Sequence, residues 1–219
     1  MGETTESAAV TWRLETWFPD FSKETHQKLR KYYDELSSAN KTMSLVSPKT
    51  LPFADGIHFA DSAMGMNFIF KDAPSAKEFY DFGSGPGFPG LVGAILRPDI
   101  KFTLVEIDDK KIEFLRRCVA NLSLGNVSLL KGNLEALPAN SVKFAVARGL
   151  SNISKSILMA RKCMEKGGTF YHMKSENWSM EVGEIPTQLC SVWSPALVSE
   201  YRLPIGEVRF AIVKTTKIS

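Results

Sequence analysis

The sequence predicts an α/β fold with a mostly parallel sheet, an N-terminal helical extension over residues 1–75 and a second, larger unit over residues 76–219 that closes in an antiparallel hairpin. Three observations carry this. Phe79-Tyr-Asp-Phe82 runs straight into the glycine-dense turn Gly83-Ser-Gly-Pro-Gly-Phe-Pro-Gly90 and then into the apolar helix pattern of Leu91, Val92, Ala94, Ile95 and Leu96. From residue 79 onward strand and helix patterns alternate, which places helices on both faces of a parallel sheet. Near the C-terminus two β-rich runs, 191–201 and 207–214, flank Leu203-Pro-Ile-Gly206, the signature of a hairpin and an antiparallel strand.

In chain order, residues 1–10 are polar and read as disordered, and Trp12, Leu14, Trp17 and Phe18 as a first helical turn or two. Ser22 is an N-cap with Glu24 in the first turn, and Leu29, Tyr32, Tyr33 and Leu36 recur at helical spacing, so residues 23–37 form an amphipathic helix. Lys23, Lys28, Arg30 and Lys31 read as its solvated face, weighed against a phosphate contact. Residues 40–48 are a loop, and a second helix lies between Pro52 and Phe70, carrying His58, Asp61 and Ser62 within one turn; His58 is read as a satisfied helix-surface or packing histidine, weighed against a functional role. The second unit then reads as strand 79–82, helix 89–96, strand 101–107, helix 109–123, strand 127–131, strand 142–147, helix 152–165 and strand 168–174.

Composition bounds the function loosely. The 44% hydrophobic and 23% charged fractions are those of a globular domain. The net charge of +3 is uneven: residues 1–75 hold 8 Lys/Arg against 10 Asp/Glu, and the remainder 19 against 14. The basic excess on the pocket-bearing part is compatible with a polyanionic partner without requiring one. Cys118, Cys163 and Cys190, in a predicted helix, helix and strand, form no C-x-x-C pair and read as small core residues of a reducing compartment; His26, His58 and His172 have no metal-ligand spacing, so no metal is expected. No apolar run approaches the roughly 18 residues that span a bilayer, and no leader or lipidation signal opens the chain, so a cytoplasmic protein is expected.

The chemistry lies at the glycine turn. Gly83, Gly85 and Gly87 can take positive φ and let a ligand approach the backbone, and the following helix turns unpaired N–H groups to the same cavity. Gly85 to Gly90 formally satisfies G-x-G-x-x-G, which keeps a nicotinamide-dependent oxidoreductase open as a reading. The register nevertheless fits Asp81-x-Gly-x-Gly-x-Gly better, because the dinucleotide fingerprint starts directly after the strand and the sixth position from Gly83 is Phe88. Phe102-Thr-Leu-Val-Glu106 ends in a carboxylate 23 positions after Gly83, near the roughly 20 at which an acid meets a ribose diol, so Glu106 is the ribose ligand. Arg148 ends a strand whose neighbours Phe144 to Ala147 are core. A charge at that rim points to ligand or RNA, weighed against a surface ion pair. Arg116 and Arg117 read as helix-surface charges.

Asp81-x-Gly-x-Gly-x-Gly resembles the first motif of S-adenosylmethionine-dependent methyltransferases with a Rossmann-like fold. With Arg97-Pro98, Lys111, Phe114-Leu115-Arg116, Arg148, Phe170-Tyr171-His-Met-Lys174, and upstream Asn40 to Ser47 and His58 to Ser62, the chain from about residue 20 resembles the RsmG (GidB) family. That resemblance implies transfer of a methyl group from S-adenosylmethionine to guanine N7 in 16S rRNA, with the rRNA or the assembling small subunit as partner and a monomer as the acting form. By family position Phe88 borders the methionine half of the cofactor, weighed against a plain packing residue at the helix start, and Leu134 and Glu135 flank the adenine; Lys174, on the same rim as Arg148 one strand on, is expected by analogy to touch RNA phosphate. Asn133 stands where the family commonly has arginine. After the fourth strand comes Ala147-Arg148-Gly149-Leu150 rather than the Asp/Asn-Pro-Pro-aromatic run of enzymes that methylate exocyclic amines. No cysteine lies in a predicted pocket loop to serve pyrimidine C5 methylation, which leaves a ring nitrogen. The rival readings are the oxidoreductase and a non-enzymatic binder of RNA or of a translation factor with a vestigial pocket.

Overall fold

The computed structural model describes residues 12–207 and 209–219; the expected disorder of residues 1–10 falls outside them. The N-terminal part folds as helices α1 (Leu14–Trp17), α2 (Lys23–Asn40) and α3 (Asp61–Asp72), with a 3₁₀ turn, Leu51–Phe53, and a π-helical turn, Asp55–Ala60, leading into α3. Next come β1 (Glu78–Phe82), α4 (Gly90–Leu96), β2 (Lys101–Glu106), α5 (Asp109–Asn121) and β3 (Val127–Lys131). A 3₁₀ turn, Leu134–Ala136, precedes β4 (Val142–Arg148) and α6 (Ile153–Ala160). The chain continues through β5 (Met164–Ser175), α7 (Trp178–Gly183), α8 (Thr187–Cys190), β6 (Trp193–Arg202) and β7 (Arg209–Lys217).

The seven strands lie in the order β3-β2-β1-β4-β5-β7-β6. The pairs among β1 to β5 are parallel, while β7 is antiparallel to both β5 and β6. Strand order reverses between β1 and β4, and in such sheets ligands bind beyond the carboxyl ends of the strands at that point. The glycine turn leaves β1 there, and Arg148 ends β4 beside it.

Local chemistry explains the elements. Ser22 Oγ accepts the Thr25 N–H at 3.1 Å, so α2 starts where its cap was read; it runs to Asn40, beyond the expected residue 37, and buries Leu29, Tyr32, Tyr33 and Leu36. Asp108 caps α5 by accepting Lys111 N–H at 3.0 Å, and Asn152 caps α6 by accepting Lys155 N–H at 2.8 Å. The helix expected across 152–165 ends at Ala160, so Cys163 sits in a buried turn and β5 begins at Met164 rather than at residue 168. Cys190 was expected in a core strand; it ends the short helix α8 and is exposed.

The N-terminal helices share one hydrophobic cluster with the sheet: Leu14, Leu29, Phe59, Met66, Leu91 and Ile212 all belong to it. The single helix expected between Pro52 and Phe70 is divided. Its π-helical turn is anchored by Asp55, fully buried, which accepts from Arg13 Nε and Nη2 at 2.8 Å each. An extra residue in a helical turn re-aims side chains locally, and here the turn carries His58.

Candidate active site

Gly83, Gly85 and Gly87 have φ of +70°, +57° and +104°, backbone that residues with a Cβ rarely adopt. At Gly85 an added Cβ would meet nothing nearer than Gly83 O at 4.0 Å, so the turn opens toward free space that a ligand can fill. Gly90 has a different need: an added Cβ would stand 2.5 Å from Asp81 Oδ2, which accepts the Gly90 N–H at 2.9 Å. Asp81 lies wholly buried beneath the turn, Oδ1 has no partner among the described residues, and burial raises its pKa to about 7.

Glu106 closes the other side. Its Oε2 accepts from Gly85 N–H at 2.8 Å, and Oε1 from Ile107 and Asp108 N–H at 2.8 and 2.9 Å. These bonds fix a nearly buried carboxylate at the mouth of the turn and leave Oε2 room to accept from a hydroxyl. A cavity of about 180 Å³ adjoins it, walled by Val105, Ile107, Leu134, Leu150 and Met159 together with Gly83 and Glu106. An open positive-φ backbone, a held carboxylate and a mostly apolar cavity beside them fit the methionine chain, ribose and adenine of S-adenosylmethionine.

Arg148 is held from the N-terminal helices. Its Nη1 donates to Ile57 O at 3.1 Å and to Asp61 Oδ2 at 2.8 Å, Nη2 donates to His58 Nδ1 at 3.2 Å, and the guanidinium lies 5.0 Å from the Phe88 ring centroid. Asp61, itself buried, accepts from the Tyr201 hydroxyl through Oδ1 at 2.7 Å. Because an arginine only donates, His58 Nδ1 must accept; Nε2 then carries the hydrogen and faces Thr50 Oγ1 at 3.2 Å. Burial, reinforced by Arg148, lowers the His58 pKa to about 3, so the imidazole is neutral.

Beyond Arg148 a second cavity, of about 360 Å³, is lined by His58, Arg148, Gly149, Met173, Lys174 and Glu181 among others. It is separated from the first by the turn Gly149-Leu150, which contributes to both. Lys174 is tied down: Nζ donates to Ser151 O at 2.6 Å and to Glu181 Oε2 at 2.7 Å. A larger cavity, about 690 Å³, lies over α1 and α2 away from the strand ends and contains none of these groups.

The expected residues thus separate. Gly83, Glu106 and Leu134 meet in the first cavity, and Arg148 and Lys174 in the second. Gly85 joins the first through its bond to Glu106, whereas the Glu135 side chain is exposed outside the lining. Phe88 is buried, its ring packed on Tyr32, His58 and Phe59, so its side chain supports the site from behind. Arg148 does form an ion pair, but a largely buried one that aims it rather than a surface pair. The cavity beside Arg148 is lined by a histidine, His58, delivered from the N-terminal helices and not from a strand-end loop. His58, Asp61, Tyr201 and Glu181 had no sequence signal that joined them to Arg148, since their contacts span 87 to 140 residues or lie on α7, a helix too short to show a period.

Comparison with known proteins follows this geometry. The family described as rRNA small subunit methyltransferase G (GidB) matches residues 25–194. The chain belongs to that family. It is 51% identical over 221 residues to the ribosomal RNA small subunit methyltransferase G 3 of Bdellovibrio bacteriovorus, covering the whole of both. It is 32% identical over 163 residues to the ribosomal RNA small subunit methyltransferase G of Paracoccus denitrificans, covering 74% of this chain and 82% of the relative. In fold it resembles a SAM-dependent methyltransferase from Aquifex aeolicus, with TM-score 0.55 at 16% identity over 82% of this chain and 97% of that one. S-adenosylmethionine is the cofactor of this GidB-family chain. No helix among the described residues is long and apolar enough to cross a membrane, and they contain no cluster of metal-ligating side chains.

Proposed function

We propose that this GidB-family chain methylates N7 of a guanine in 16S rRNA, acting in the cytoplasm as a monomer on the rRNA or the assembling small subunit. The observation that carries the reading is the pair of cavities on either side of the Gly149-Leu150 turn, one suited to the cofactor and one lined by charged side chains that can grip a base. Bound S-adenosylmethionine supplies an electrophilic methyl on sulfur. Gly83 and Gly85 of the glycine turn and Leu134 of the turn after β3 would hold it, Glu106 would accept from its ribose hydroxyls, and Arg148, aimed by Asp61, Ile57 and His58, would orient the base and its phosphate side together with Lys174.

Guanine N7 presents an in-plane lone pair, so no proton has to leave before the nitrogen–carbon bond forms and the sulfur–carbon bond breaks. The residues agree. His58, the histidine beside Arg148, spends its lone pair on that guanidinium, and Glu106 is engaged by three backbone amides. Rate enhancement then comes from alignment of nitrogen, methyl and sulfur, worth several orders of magnitude when the groups are pre-oriented.

Mass mapping of 16S rRNA from cells lacking the chain, and from cells regaining it, tests this. One 7-methylguanine should vanish and return. Unchanged rRNA refutes the reading, and full restoration by a variant that cannot bind the cofactor would favour a non-enzymatic binder. S-adenosylmethionine should bind the purified protein and NADH should not, which disposes of the oxidoreductase.

A further inference from the structure

We propose that Glu181 is the specificity-determining residue of the acceptor pocket, accepting hydrogen bonds from the N1–H and N2 amino group of the guanine to be methylated. The inference rests on the function proposed above and adds the group that would tell guanine from adenine.

Glu181 lies on α7 and lines the second cavity with Lys174 and Arg148. Its Oε2 is occupied, accepting from Lys174 Nζ at 2.7 Å and from Ile153 N–H at 2.9 Å. Those two bonds fix the carboxylate at the N-terminus of α6, while Oε1 has no partner among the described residues. Lys174 is similarly part-used: with Ser151 O and Glu181 Oε2 satisfied, a third ammonium hydrogen remains. Arg148 has spent both Nη1 hydrogens and one on Nη2, which leaves Nε–H and one Nη2–H.

The order of these groups matches the order of atoms around guanine. Arg148 adjoins Gly149, the turn shared with the cofactor side; Met173 is its partner in register on β5, Lys174 follows, and Glu181 is bonded to Lys174. Going round the base from N7 come O6, which accepts, then N1–H and the N2 amino group, which donate. With N7 toward the cofactor cavity, the cationic donors Arg148 and Lys174 face O6 and the carboxylate faces N1 and N2. Adenine reverses each contact: its N6 amino group would face the cations and its N1 lone pair would face Glu181. The cavity, about 360 Å³, is within the range of pockets that bury a ligand of this size.

The experiment uses the full chain and small-subunit RNA carrying either guanine or inosine at the methylated position found by mass mapping. Inosine keeps N7, O6 and N1–H and lacks only the N2 amino group. Wild type should lose roughly tenfold in kcat/KM on inosine, as removal of a hydrogen bond to a charged acceptor does. Glu181→Gln keeps an oxygen for Lys174 and Ile153 but turns an amino group toward the base, and should lose roughly 10- to 100-fold on guanine. In that variant inosine should cost nothing further. RNA affinity of protein loaded with S-adenosylhomocysteine should show the same non-additivity, and cofactor affinity should stay within about twofold of wild type, which a merely structural role for Glu181 would not produce. Equal rates on guanine and inosine in wild type, or an equal inosine penalty in both proteins, overturns the inference while leaving the proposed function standing. Absence of any guanine methylation by wild type overturns the function itself. Should Glu181→Gln fail to fold, Glu181→Asp, which withdraws the same carboxylate by one methylene, takes its place with the same two outcomes.

Discussion

Replacing Asp61 with alanine should strike the site through Arg148, which it aims. The buried Asp61 carboxylate takes 2.8 Å and 2.7 Å bonds from Arg148 Nη1 and the Tyr201 hydroxyl. Removing one partner of a buried ion pair costs about 3–5 kcal/mol. Arg148 keeps Ile57 O, His58 Nδ1 and 19% exposure of its side chain, so the lower end applies. The orphaned Tyr201 hydroxyl adds about 1 kcal/mol. A total near 4 kcal/mol, at about 2–4 °C per kcal/mol for a chain of this length, lowers Tm by roughly 8–16 °C. Below that Tm the folded variant should still methylate slowly, because an Arg148 displaced by about 1 Å can cost up to about 100-fold in rate. Asp61→Asn keeps an acceptor for Arg148 without the charge and should lose about half as much stability. Calorimetric melting with single-turnover methylation on the same preparations decides the matter. An Asp61→Ala protein melting within about 2 °C of wild type with unchanged turnover would show that Arg148 is not held in this way.

Glu106→Ala should weaken S-adenosylmethionine binding by roughly tenfold or more, since bonds to a charged acceptor contribute about 1.5–3 kcal/mol; isothermal titration with unchanged affinity in a folded variant would remove Glu106 from the site. Gly85→Val places a β-branched residue at φ +57°, where left-handed backbone costs about 1–2 kcal/mol even before its methyls enter the cofactor's space, so binding should be lost more completely than in Glu106→Ala. Burial, reinforced by Arg148 and Lys174 respectively, holds the pKa of His58 and His172 at about 3 against 6.5 in the open chain. The unfolded state therefore binds more protons at these two sites, and their contribution to stability is lost as pH falls from about 6.5 toward 3. Asp81, raised to about 7, acts oppositely and loses its contribution as pH rises through 7. In denaturant titrations at about pH 4 to 5.5, His172→Gln should change the slope of stability against pH by about 1.4 kcal/mol per unit, the value for one proton, and an unchanged slope would refute the assignment. Single-turnover methylation at saturating cofactor and RNA should be nearly flat across the neutral range; a log-linear rise of slope one would reveal an essential base.

The sheet and the cofactor half of the site were legible in the sequence because both are written in short range. A strand, its glycine turn and its helix are contiguous, and the carboxylate at the end of the next strand falls at a spacing set by one β–α–β unit. The hairpin announced itself by two β-rich runs around Leu203-Pro-Ile-Gly206, with the strands shifted by a few residues to Trp193–Arg202 and Arg209–Lys217. In the acceptor half only Arg148 and Lys174 were legible, because what surrounds and aims them is made by packing. His58 and Asp61 reach Arg148 only when a helical turn with an extra residue is docked on the sheet, and a periodicity argument sees that stretch as one ordinary helix. The direction of the Phe88 ring was not legible for the same reason: position in a motif says where the backbone lies, not which way a ring is turned once Tyr32 and Phe59 compete for the space.

The placing of β7 has a consequence for how the protein is made. β7 follows β6 in the chain but lies inside it, between β5 and β6. While synthesis has reached only β6, that strand has no neighbour to pair with, and Tyr201 has no fixed route to Asp61. Domains fold as units during translation, and this sheet closes only after residues 209–217 have been made. The glycine turn and Glu106 are complete in sequence a hundred residues earlier. A nascent chain therefore carries the residues of the cofactor side long before those of the clasp that aims Arg148, and both take their places together once β7 has been made.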